Sequence, residues 1–143
     1  LAGVARRGDV PGWNFQLALE VLQHLREERE SRGTGLSLEG LALRMRVEAL
    51  QLEEPVAAMV LLDWLGRLDE EDERYVLLVD LEKISLAPLV ERLLLAHSDS
   101  TARFWTLSQW RQLTVAQALQ TSDASGAMSL PGSEAPEAAI SGR

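Results

Sequence analysis

Apolar residues recur at helical spacing from Phe15 through Ala18, Val21, Leu22 and Leu25, which predicts an amphipathic helix capped by Asn14. The stripe fades into the solvated run Arg26-Glu27-Glu28-Arg29-Glu30, and Gly33 and Gly35 stop the helix. Leu36 reads as a one-bridge strand. Ser37 then caps a short second helix with Leu38, Leu41, Ala42 and Met45 inward. Gly40 within that helix predicts a close approach of another helix. A third helix falls between Ala49 and Leu65, with Pro55 in its first turn. Val56, Met59, Val60 and Trp64 share one of its faces, and Gly66 ends it.

The period then changes. Leu68, the acids Asp69 to Glu73 and the run Tyr75-Val76-Leu77-Leu78-Val79 predict a hairpin with a charged tip. Ser85 caps a fourth helix carrying Leu86, Leu89, Val90, Leu93 and Leu94, with Pro88 tolerated in its first turn. Thr106 with Gln109 and Thr114 with Gln117 have the spacing of a capping box, predicting short helices near 107–112 and 115–120. From Ser122 onward 15 of 22 residues are Ala, Ser, Gly or Pro, a composition that predicts disorder.

Three helices, a two-stranded hairpin and a further helix is the order of a winged helix, a mainly α fold whose second and third helices form a helix-turn-helix. The predicted organisation is a linker over 1–13, a winged-helix domain over 14–97, a short helical extension over 98–121 and a disordered tail over 122–143.

Composition narrows the chemistry. The 143 residues suit one domain, and 22 acids against 14 bases give a net charge of −8. Such a chain repels nucleic acid and anionic lipid. Without cysteine there are no disulfides, thiolate metal sites or cysteine nucleophiles. The longest charge-free apolar run, about Pro55 to Leu62, is far short of a membrane span, and no signal peptide opens the chain. It begins on Leu1, as a segment of a longer protein or a processed chain would.

The stretch from Phe15 to Leu95 resembles the C-terminal region of the YihY/virulence factor BrkB family, bacterial inner-membrane proteins formerly labelled ribonuclease BN. The resemblance is carried by Leu17-Ala18-Leu19-Glu20-Val21-Leu22, Leu36-Ser37-Leu38-Glu39-Gly40-Leu41-Ala42 and Leu65-Gly66-Arg67-Leu68. Tyr75-Val76-Leu77-Leu78-Val79-Asp80 and Ile84-Ser85-Leu86-Ala87-Pro88-Leu89 complete it. It implies an upstream bundle of about six membrane helices, a parent active in transport or envelope resistance, and a place for this segment on the cytoplasmic face of the inner membrane.

A winged helix also invites a DNA-binding reading, because its third helix usually enters the major groove. Between Val47 and Gly66, however, stand Glu48, Glu53, Glu54 and Asp63 and no Lys or Arg, so phosphate would be repelled. The acids at 69–73 lack the glycine and ligand spacing of a calcium loop and read as a charged turn blunting an edge strand. His24 and His97 have no His, Cys or spaced carboxylate beside them, Ser37 and Ser85 are caps, and Gly33-Thr34-Gly35 is too short for a phosphate loop. No catalytic residue, metal or cofactor is expected, and the ribonuclease label finds no support in these residues.

The candidate interaction surface is the cluster of Phe104, Trp105, Leu107, Trp110 and Leu113. Docking of this extension on the core is the simpler use of the same aromatics. Trp13 and Trp64 read as core or core-edge residues. The sequence thus points to a non-catalytic cytosolic interaction module of a BrkB-like membrane protein. Its partner would be the membrane portion of the parent, another protein or a second copy. A DNA-binding regulator is the first alternative and a ribonuclease the second.

Overall fold

The computed structural model describes Arg6 and residues 8–68 and 72–120. The predicted tail, and Asp69 to Glu71 of the hairpin tip, lie outside the described residues. Helix α1 (Trp13–Ser31) buries Ala18, Val21, Leu22 and Leu25 of the predicted stripe, with Leu17 and Glu28 added, whereas Phe15 is only half-buried. Its cap is not Asn14, which lies inside the first turn. Gly12, in a left-handed conformation at φ 75°, turns the chain into the helix, and its carbonyl accepts the Gln16 N–H at 2.9 Å.

Strand β1 (Leu36–Ser37) leads directly into α2 (Leu38–Met45), where the Ser37 hydroxyl accepts the Gly40 N–H at 3.0 Å, the predicted cap. Gly40 does not meet another helix. A Cβ there would face Ser37 Oγ and Leu36 Cδ2 of its own entry turn. A 3-10 turn over Ala49–Leu52 precedes α3 (Glu53–Leu61), with Pro55 in its first turn. This helix stops before Gly66, because Asp63 turns left-handed at φ 62°. Trp64 is therefore outside the helix, although still buried, and its carbonyl accepts the Leu78 N–H at 2.8 Å.

Strands β2 (Leu65–Leu68) and β3 (Arg74–Leu77) form the wing, and β1 pairs with the other edge of β3, giving the antiparallel order β1-β3-β2. Register sets Leu36 opposite Tyr75 and Leu65 opposite Leu77. Gly35, at φ 87°, has no alternative here. A Cβ on it would stand 2.8 Å from the Tyr75 carbonyl and 2.9 Å from a Val76 methyl.

Helix α4 (Ala87–Leu93) begins one residue later than Ser85 would cap it. The Ser85 hydroxyl accepts the Ala87 N–H at 3.1 Å and donates to the Trp110 carbonyl at 3.1 Å. In the extension, the helix expected at 107–112 is replaced by α5 (Ala102–Leu107). It grows from a 3-10 turn over Asp99–Thr101, opened by a capping box between Ser98 and Thr101. Thr106 does not cap, since its hydroxyl donates back to the Ala102 carbonyl at 3.0 Å. Helix α6 (Val115–Ala118) starts at the predicted Thr114–Gln117 box, with reciprocal bonds of 3.1 and 2.9 Å, and stops short of residue 120. Thr114→Ala should destabilise the chain by about 1 kcal/mol. Urea unfolding of the variant against the parent protein measures it.

Candidate interaction surface

The extension is bolted to the segment before α4. The Leu86 N–H donates to the Leu113 carbonyl at 2.8 Å, Val115 N–H to Ile84 at 3.1 Å and Ala116 N–H to Leu81 at 2.9 Å. Val115 is fully buried and Trp105 is 3% exposed, so both belong to the core. The Trp105 indole N–H donates to the Ala96 carbonyl at 3.3 Å, and its ring stacks on His97 at 5.3 Å. Trp110 meets Trp105 edge-on at 4.9 Å and Phe104 at 5.2 Å. Thus the five residues singled out from the sequence divide. Trp105 is inside, Trp110 and Leu113 are half-buried against the core, and Phe104 (54%) and Leu107 (67%) are exposed.

A second surface was not anticipated. Between α3 and the wing runs a groove of about 750 Å³ with Leu38, Val56, Ala57, Val60, Leu61 and Tyr75 among its lining. Glu53, Glu73 and Arg67 border it, and Arg67 is itself engaged. The groove shares Leu38, Glu53, Glu73 and Tyr75 with a neighbouring hollow of about 700 Å³ that adds Glu39 and Asp72. The first hollow is lined mainly by apolar side chains and the second mainly by carboxylates, with Glu53 and Glu73 common to both, so the two together make a channel that grades from apolar to acidic. Its sequence signal is the four-residue spacing of Glu53, Ala57 and Leu61, which places an exposed apolar edge beside the buried stripe of the same helix.

The basic side chains lie elsewhere or are committed. Arg6 binds both carboxylate oxygens of Glu20 at 2.7 and 3.0 Å, donates to the Met45 carbonyl at 3.1 Å and lies 5.1 Å from the Trp13 ring centre. Its backbone N–H donates to the Arg46 carbonyl at 2.9 Å, so Arg6 and Arg46 are neighbours, but the Arg6 charge is answered by Glu20. Burial alone would push the Glu20 carboxyl up. The bonds from Arg6 and Gln16 and the Arg6 charge outweigh it and hold the carboxyl below the usual range. A depressed carboxylate stabilises the fold above its unfolded pKa, and that contribution is lost as the pH falls through the folded value. Both side chains are about three-tenths exposed, so the pair is worth about 1 kcal/mol or less.

His24 is half-buried on α1 and His97 is taken up by the Trp105 stack. Among the described residues no three His, Asp or Glu side chains gather to hold a metal ion. No helix among them is long and apolar enough to cross a membrane.

No family model matches the chain. Its sequence relatives are consistent with one another. A UPF0761 membrane protein from Verminephrobacter eiseniae is 45% identical over 127 residues, covering 83% of this chain and 30% of its own length. A UPF0761 membrane protein from Delftia acidovorans is 38% identical, with 85% of this chain and 31% of that protein covered. One from Albidiferax ferrireducens is 41% identical over 82% of the chain and 29% of its own length. The chain spans about three-tenths of these relatives. Among solved structures, a candidate transcriptional regulator from Listeria innocua superposes with a TM-score of 0.57 at 18% identity, covering 74% of this chain and 83% of its own. IscR from T. potens superposes at 0.51 with 18% identity, covering 89% and 94%. At that identity the likeness establishes the fold, a winged helix, and nothing of its ligands. With 38–45% identity over most of its length, the chain belongs to the UPF0761 membrane proteins, the YihY/BrkB family.

Proposed function

We propose that this winged helix is a non-catalytic interaction module on the cytoplasmic face of its membrane protein, where it docks on protein and does not read DNA. One observation carries the reading. Helix α3, the helix a winged-helix regulator lays in the major groove, exposes Glu53, Glu54, Ala57 and Leu61 and has no Lys or Arg. Phosphate neutralisation supplies most non-specific DNA affinity, and this face offers the wrong sign. The exposed Ala57 and Leu61 suit contact with another apolar surface.

The regulator reading draws on the fold of the structural neighbours alone. The two separate in a fluorescence anisotropy titration of the purified chain against mixed-sequence duplex DNA at about 0.15 M salt. The proposed role predicts no binding at micromolar protein. Sub-micromolar affinity with a steep salt dependence would overturn it and favour the regulator.

A further inference from the structure

We propose that the channel between α3 and the wing is the docking site for a basic amphipathic helix from the membrane-embedded remainder of the same protein, an assignment that rests on the functional reading above. Its apolar end would take the apolar stripe of the incoming helix against Val56, Ala57, Val60 and Leu61. Its other end would set Lys or Arg side chains among Glu39, Glu53, Asp72 and Glu73. Charge complementarity selects this occupant. Among the described residues that line it, four carboxylates stand against one cation, Arg67, and that arginine is already engaged. A second copy of the chain, also at net −8, is repelled as a partner. The chain's own residues 121–143 carry three acids, Asp123, Glu134 and Glu137, and one base, Arg143, so they lack the required sign.

The relatives extend over more than three times the length matched here and are named membrane proteins. In membrane proteins the cytoplasmic segments bordering the spans carry the excess of Lys and Arg. A domain held at that face meets basic amphipathic chain at high effective concentration, so an affinity in the micromolar range suffices for stable docking.

The test uses the full 143-residue chain and a fluorescent helical peptide of about 18 Lys and Leu residues arranged with one apolar face, with a Glu/Leu peptide of the same pattern as control. The expected result is micromolar binding of the Lys/Leu peptide and none of the Glu/Leu peptide. The double variant Glu53→Lys/Glu73→Lys should weaken binding at least tenfold. Leu61→Ser, at a side chain already exposed, should weaken it severalfold without altering its salt dependence, and Glu30→Lys, on the exposed end of α1, should leave it unchanged. Circular dichroism confirms that each variant is folded. Equal weakening by Glu30→Lys, or no effect of the groove variants, would mean that the peptide answers only to overall charge and would overturn the assignment. So would absence of binding. With DNA still unbound, such a failure removes the groove assignment alone; DNA binding removes the functional reading and the assignment with it.

Discussion

Ending the chain after Ser100 should lower its unfolding free energy by several kcal/mol and expose apolar surface to a dye such as ANS. The segment removed contains Trp105 and Val115, both inside the core, and the three backbone bonds that tie residues 113–116 to residues 81–86. Deleting a buried Trp side chain alone typically costs about 3–5 kcal/mol. Trp105→Ala should therefore account for most of the loss, with the vacated indole N–H bond to Ala96 contributing to it. Phe104→Ala, at a ring 54% exposed, should cost about 1 kcal/mol or less. Urea unfolding of the three forms decides the matter. A truncated chain as stable as the intact one would mean that residues 101–120 are not part of the domain.

Glu28→Ala should destabilise the fold by about 2–4 kcal/mol, a large effect for one carboxylate. Glu28 is 4% exposed in the last turn of α1. One carboxylate oxygen accepts the Thr34 N–H at 2.9 Å and the Thr34 hydroxyl at 3.1 Å, and the other accepts the Gly35 N–H at 3.0 Å. These bonds to a charged acceptor fold the loop back so that β1 reaches β3. Removing the acceptor leaves the buried Gly35 N–H without a partner. Glu28→Gln keeps one carbonyl acceptor and should lose less. Amide exchange should report the site of damage, with protection falling first at Thr34 and Gly35 and along the β1–β3 pairing. Loss spread evenly over the domain, or none, would contradict this role for Glu28.

Glu28 also marks where sequence reading stops. Within Arg26-Glu27-Glu28-Arg29-Glu30 nothing distinguishes it from its solvated neighbours, because its burial depends on a loop that returns six and seven residues later. The α1 stripe, the Ser37 cap, the wing and the Thr114–Gln117 box were legible because each is a local pattern with its own period or spacing. The cap at Asn14 was misread because Gly12 could enter the helix through a left-handed turn, which residue preference alone does not weigh. The helix at 102–107 was missed because the Ser98–Thr101 pair, not Thr106, nucleates it. Of the two surfaces, the aromatic cluster was visible as composition, whereas the groove is assembled from α2, α3 and the wing. Only its α3 edge, Glu53-Ala57-Leu61, leaves a trace in the sequence.

The absence of cysteine makes the most direct test of docking available. In a full-length UPF0761 protein carrying this chain in place of its homologous segment, with native cysteines removed from the remainder, Ala57→Cys puts one thiol in the groove. Glu30→Cys puts one on the exposed end of α1. Labelled with a photoactivatable maleimide and illuminated in membranes, the Ala57→Cys protein should cross-link within its own chain to a Lys- or Arg-rich segment bordering a membrane span, identified by mass spectrometry of the joined peptides. The Glu30→Cys protein should not. Cross-links that are equal from the two positions, or absent from Ala57→Cys, would contradict the account.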